Sequence, residues 1–364
     1  AGRGIDEATV RAVLDRAPLL APEAREAGLV DRLGYRDEVY AAVRERAGAD
    51  ASLLYVDRYA RAAARVRPRR RGRRHIALVH VHGTIHLGRS GRRPLGGATA
   101  GAASVCAALR AAAADRNVAA VVLRVDSRGG SYVASDAIWR EVAVTRAAGT
   151  PVVVSMGDVA ASGGYFVAAG ADAIVAEPAT VTGSIGVVAG KAVVAGLAGR
   201  LGIGHEEVAG AARDLMFSPL RPFSDDEWAR LDTWLDRIYQ DFTAKVAAGR
   251  GMPPDRVEEV ARGRVWTGAE ARERGLVDEL GGLARAAEVA RARAGLPPAP
   301  PPELHTYPRV PAVARLRRPR SSDDPAAAGA AVTWDAWGDL AGIAAKLGLP
   351  AEGPLTLPAA WLPA

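Results

Sequence analysis

The chain is short of the residues that would make it a metal, redox or disulfide protein. Cysteine occurs once, as Cys106 within the apolar run 103–109, so no disulfide closes inside the chain and neither redox compartment is indicated. The six histidines stand without ligand spacing to cysteine or carboxylates, and no Gly-x-x-x-x-Gly-Lys-Ser/Thr occurs, so no metal or other cofactor is expected. Uncharged apolar stretches stop well short of the roughly 20 residues that a membrane-spanning helix needs, and no signal peptide opens the chain. It starts at Ala1 rather than Met, which reads as a fragment or a processed product. Lysine is scarce as well: Lys191, Lys245 and Lys346 are the only three among 48 Lys and Arg.

What is present is the composition of a folded α/β protein, 364 residues long and 49% hydrophobic. The net charge of +7 is partly concentrated in the arginine-rich run 65–74. No aromatic residue is interleaved there for stacking on bases, so the run reads as a solvated linker near an anionic membrane and no nucleic-acid partner is expected.

Residues 1–35 match residues 248–282 without a gap, at a constant offset of 247. Ala-Gly-Arg-Gly at 1–4 recurs at 248–251, and Glu-Ala-Arg-Glu at 23–26 recurs at 270–273. The second copy closes a domain that begins near His75, so the first is expected to be the tail of a similar domain whose front is absent. This predicts four parts: residues 1–66, the tail of a truncated first repeat; 67–74, a basic linker; 75–296, the catalytic domain; and 297–364, a proline-rich linker and tail. The tail ends in an apolar patch with Trp334, Trp337 and Trp361.

Between the copies, short apolar runs at 76–81, 119–125, 151–155 and 173–176 alternate with alanine-rich helical segments near 101–115, 132–148 and 162–171. That alternation predicts βαβ units with a parallel sheet and crossover helices. A longer amphipathic helix is predicted over 225–249, with Trp228, Leu231, Trp234, Leu235 and Ile238 at helical spacing, the tryptophans in core or interface.

Ser162 follows the run 151–155 and a turn of small residues at 156–161, and it opens the next helix. Such a position exposes Oγ where unpaired N–H groups favour developing negative charge, although a plain helix N-cap fits the local pattern equally well. A second glycine pair, Gly129-Gly130, follows the strand at 119–125. Both loops leave the same edge of a parallel sheet, so their N–H groups are placed to share an oxyanion.

The ordered motifs at 79–85, 124–131, 155–165, 182–186 and 263–281 together resemble the signal peptide peptidase A (protease IV) family, peptidase family S49, in its long duplicated type. The resemblance covers about residues 75–296 and the short repeat at 1–66. It implies an α/β fold of the ClpP/crotonase type, built from repeated ββα and βαβ units. It also implies a Ser/Lys dyad that cleaves remnant signal peptides, with Ser162 as nucleophile, Ser184 orienting the lysine, and Gly129 and Gly163 forming the oxyanion hole. Two departures stand in the first loop, Asp126 and Arg128, where the family usually has Asn and Pro.

A larger departure concerns the base. Arg213 occupies the position of the lysine in short family members, and arginine does not act as a base at neutral pH. In long, duplicated members the lysine comes from the amino-terminal copy, so here it is expected from the missing domain and this chain alone is expected to be nearly inactive. A ClpP-type triad is not expected, since no histidine lies between Ser162 and His205. The resemblance further implies peptide substrates, a homo-oligomeric ring, and a bacterial cell membrane location with the active site on the extracytoplasmic side, anchored through a missing N-terminal segment. Two other readings stay open: a crotonase-like acyl-CoA enzyme, and a non-catalytic scaffold that has lost its base.

Overall fold

The computed structural model describes residues 3–14, 21–33, 36–48, 74–93, 97–209, 213–299, 301 and 303–308. The expected linker at 67–73 and the tail beyond 308, with Trp334, Trp337, Lys346 and Trp361, lie outside them. The chain divides into two compact units, Ala1–Arg71 and Gly72–Ala364.

In the first unit the described residues form three helices, α1 (Glu7–Leu14), α2 (Ala21–Glu26) and α3 (Arg36–Ala47). Arg3 ties the first two together. Its Nε donates to Gly28 O (2.9 Å), and its two terminal nitrogens donate to Asp31 at 2.9 and 2.7 Å.

The second unit is built on an apolar mixed sheet that is parallel but for one pair. Its main strands are β1 (His75–His82), β5 (Val118–Ser127), β6 (Val152–Ala161) and β7 (Ala173–Ala176), with a small sheet of β2 (Thr84–His86), β3 (Arg89–Arg93) and β4 (Gly97–Gly101) inserted between β1 and β5. The central strands read as continuous apolar runs because both faces are covered. On one face lie α4 (Ala102–Ala114), α5 (Tyr132–Ala147), α6 (Gly163–Ala168) and the long α8 (Asp225–Arg250); α7 (Ala195–Arg200) buries nothing. After α9 (Pro254–Val260), β9 (Val265–Thr267), α10 (Gly268–Glu273) and β10 (Glu279–Leu280), the helix α11 (Leu283–Arg293) covers part of the other face through Ala286, Val289 and Ala290.

The strand order is β10-β7-β6-β5-β1-β11, where β11 (Leu304–Thr306) comes from beyond the proline-rich stretch and adds to the β1 edge. Leu304 joins the apolar cluster around Ile76, which is why this short segment docks. The predicted helix over 225–249 is α8, started by a Ser224/Glu227 capping box and stopped by Gly251 at φ 60°. Leu231 and Ile238 are buried in it, whereas Trp228 and Trp234 are exposed at 47% and 39% and lie outside the core.

The expected turn at 156–161 is strand instead. β6 runs on to Ala161 by changing partners, pairing β7 through Val153–Ser155 and β8 (Val181–Gly183) through Val159–Ala161. Between the two halves the register against β5 slips, from Val125↔Met156 to Ser127↔Ala160, and Asp126 Oδ1 accepts from Val159 N at 3.3 Å inside that bulge.

Candidate active site

Two adjacent strands, β6 and β8, end together, and each ends in a serine with a left-handed backbone. The register pairs Ala161 with Gly183, and Ser162 N donates to Gly183 O at 3.0 Å, so Ser162 and Ser184 follow side by side. Their φ angles are 52° and 48°; Arg262 is the third non-glycine with positive φ among the described residues. Such a conformation costs on the order of 1–3 kcal/mol and persists only where the surroundings enforce it. Here the sheet enforces it: Ser184 N donates to Arg264 O (2.7 Å) and Gly263 N to Ile185 O (2.9 Å), lashing the segment after β8 to the turn before β9.

The backbone at Ser162 differs from that of a serine which caps a helix. Ser131, at the start of α5, is an N-cap: φ is −61° and its Oγ accepts from Ala134 N. Ser162 has φ 52° and ψ −119°, and its side chain caps nothing. Ser162 lines an open cleft of about 1020 Å³, together with Ser184, Gly163 and Gly130. The cleft's apolar lining comes from Phe166, Val187 and Val188 and from Leu235, Ile238 and Phe242 of α8.

Gly129 and Gly163 meet backbone to backbone. A Cβ added at Gly129 would lie 2.6 Å from Gly163 N, and one added at Gly163 would lie 2.5 Å from Ser135 Oγ. The loop is fixed by Ile85, whose N donates to Gly129 O (2.9 Å) and whose O accepts from Ser131 N (2.8 Å). The Gly129 amide donates to Ser127 Oγ at 3.0 Å in this state.

No lysine reaches the cleft among the described residues. Lys191 Nζ donates to Met216 O (2.7 Å) and lies over the Phe223 ring at 4.2 Å; burial and the nearby Arg221 lower its pKa. Lys245 Nζ is held at 2.6 Å by both Asp136 and Asp241; burial opposes its charge, but the two carboxylates outweigh it and raise the pKa. Arg213 is bonded to Asp226 at 2.7 and 2.8 Å and lines a separate depression with Met216, Arg230 and Trp234. Among the described residues, then, Ser162, Ser184, Gly129 and Gly163 come together, and Arg213 stands apart.

The sequence pointed to the glycine pairs and to the serines, but not to the cleft's walls. Tyr132, Phe166, Asp232, Tyr239 and the Arg262-Gly263 turn all line it. Only α8 carried a usable signal, the helical spacing of Leu235 and Ile238. Among the described residues no group of three or more His, Cys, Asp or Glu side chains is arranged to hold a metal, and no helix is long and apolar enough to cross a membrane.

The site is thus an uncapped serine on a strained strand-to-helix turn, beside two abutting glycine backbones, at the edge of a mostly parallel α/β sheet. The chain belongs to peptidase family S49, whose model matches residues 144–297. It is 39% identical over 282 residues to the chloroplastic serine protease SPPA of Arabidopsis thaliana, covering 75% of this chain and 41% of that protein. It is 38% identical over 220 residues to Protease 4 of Salmonella typhi, covering 59% and 35%. The chain thus spans well under half the length of these relatives. A mutant ClpP1 of Listeria monocytogenes aligns loosely, with TM-score 0.37 and 14% identity over 57% of this chain and 93% of that one.

Proposed function

We propose that the second unit is the nucleophile half of a serine endopeptidase that cleaves extended apolar peptides, remnant signal peptides among them, at a membrane. One observation carries the reading: Ser162 holds a strained backbone without capping anything, and it lines an open cleft with apolar walls from Phe166, Val187, Val188 and Leu235. Ser162 Oγ attacks the substrate carbonyl carbon while its proton passes to an unprotonated amine. The carbonyl oxygen takes the negative charge and is held by the Gly163 N–H, and by the Gly129 N–H once it turns from Ser127 Oγ. The C–N bond then breaks, the base returns its proton to the leaving amine, and water hydrolyses the acyl-serine with the same base.

The base is a lysine brought by another domain, with Ser184 orienting it. Two findings support this: the described part of the cleft holds no lysine, and Arg213 is engaged with Asp226 elsewhere. Desolvation beside an apolar wall would bring such a lysine down from about 10.4 toward neutrality. The repeat at 1–66 supports the same source, as the closing segment of a further domain of this build. A ring of protomers, membrane attachment and an extracytoplasmic site belong to the same proposal.

A fluorophosphonate probe tests the nucleophile. In a chain carrying both copies, labelling and peptide cleavage are expected, and Ser162→Ala should abolish both, by at least about 10³-fold in rate. Thioester turnover that survives Ser162→Ala would favour the acyl-CoA reading instead. Residues 1–364 alone should cleave little; brisk cleavage by them, lost in Ser162→Ala, would remove the need for a second domain's lysine.

A further inference from the structure

Arg128 lies in the oxyanion loop, next to Gly129, and its side chain lines the cleft that holds Ser162. It is exposed, and among the described residues no acidic side chain lies within 4.0 Å of it and no hydrogen bond engages its guanidinium. The cleft's other arginine is spoken for: Arg262 Nε donates to Glu258 at 2.6 Å. The loop is pinned just after Arg128 by the Ile85 backbone, at Gly129 and Ser131, and before it by the Gly83 N–H donating to Asp126 O, so Arg128 springs from a fixed point. The remaining ionic groups of the cleft are the carboxylates Asp232 and Asp236 of α8, which repel an anion near them.

We propose that Arg128 is a specificity-determining residue that pairs with a carboxylate of the peptide. The proposal rests on the peptidase reading of the cleft. Arg128 is one Cα step of about 3.8 Å from Gly129, and an extended peptide advances about 3.3 Å per residue. A guanidinium rooted there reaches a group one or two residues from the scissile carbonyl. Its planar fork matches a carboxylate in two parallel hydrogen bonds, which a lysine would not reproduce. The carboxylate comes either from an acidic side chain at that position or from the peptide's own C-terminus; in the second case the cleft trims chain ends.

Binding of fluorescent apolar decapeptides to residues 1–364 separates these sources. The set comprises a peptide neutral and blocked at both ends, copies with a single Glu scanned along it, and a copy with a free terminal carboxylate. Because the pair sits at a solvent-open rim, the favoured peptide should bind about fivefold more tightly than the neutral one, with the gain shrinking in salt. Measured against the neutral peptide in the same variant, Arg128→Ala should lose the gain, while Arg128→Lys keeps part of it. A gain confined to one Glu position identifies a side-chain reader, and a gain confined to the free terminus identifies an end reader. A preference that persists in Arg128→Ala, or no preference in the unmodified chain, overturns the inference and leaves the cleft reading standing. Failure of every peptide to bind overturns the cleft reading itself, and this inference with it.

Discussion

The two copies of the repeat, residues 3–33 and 250–280, fold alike and are buried differently. Arg250 Nε donates to Gly275 O at 3.0 Å and its terminal nitrogens reach Asp278, reproducing the bonds of Arg3 to Gly28 O and Asp31 at the same offset. Gly28 and Gly275 share a left-handed φ, 71° and 75°, and α2 and α10 begin and end at equivalent positions. Yet Leu276 and Val277 are 0% and 2% exposed, while Leu29 and Val30 are 37% and 38% exposed. In the second copy the segment is sealed by the sheet: Asp278 N donates to Ile174 O, Ile174 N to Asp278 Oδ2, and the buried Tyr165 hydroxyl to Leu276 O. Local sequence thus dictates the lash of arginine on aspartate, and a neighbouring strand dictates whether it becomes core.

Removing apolar volume breaks the comparison most sharply. Leu276→Ala should destabilise the second unit by about 3 kcal/mol, since a fully buried leucine leaves a cavity, whereas Leu29→Ala should stay within about 0.5 kcal/mol. Denaturant unfolding of both variants measures this. In a longer chain that supplies the sheet proposed for the first copy, Leu29→Ala should become as costly as Leu276→Ala; an unchanged small cost there would count against that docking.

The ion pairs sharpen the same contrast. The Arg250 side chain is 7% exposed against 42% for Arg3, and Asp278 and Asp31 are 37% and 79% exposed. Arg250→Ala should therefore cost about 2 kcal/mol, less than for a fully buried pair because Asp278 keeps partial access to water. Arg3→Ala should leave the unfolding midpoint unchanged. Equal midpoints for the two variants would mean that burial does not set the difference.

How much of this was legible beforehand follows the same division between local and non-local causes. The βαβ alternation, α8 and the repeat were readable because periodicity and capping are local, and the two glycine loops at 129–130 and 163–164 because each directly follows an apolar strand run. The continuation of β6 to Ala161 was not, since it depends on β8 arriving alongside and on Asp126 filling a bulge 33 positions away in sequence. Nor were Phe166, Tyr239 and the Arg262-Gly263 turn legible as cleft walls, because only the folded sheet brings them to the serine. That Ser162 holds a positive φ and caps nothing was also not legible, since the sheet and not the local sequence sets those angles.

The smallest expected effect is a titration. Hydrogen bonding to Arg3, and then its charge, holds the Asp31 carboxyl below the ordinary aspartate range. Because the folded pKa lies below the unfolded one, the lash contributes fully above the unfolded value of about 3.9 and is lost as pH falls through the lowered folded value. Asp31 is solvent-exposed, so salt should screen the charge part of this shift. Carboxyl NMR of Asp31 is expected to show a depressed midpoint that returns to the ordinary range in Arg3→Ala. A midpoint that ignores Arg3→Ala would mean that the first copy holds its fold without the bond that the second copy shares with it.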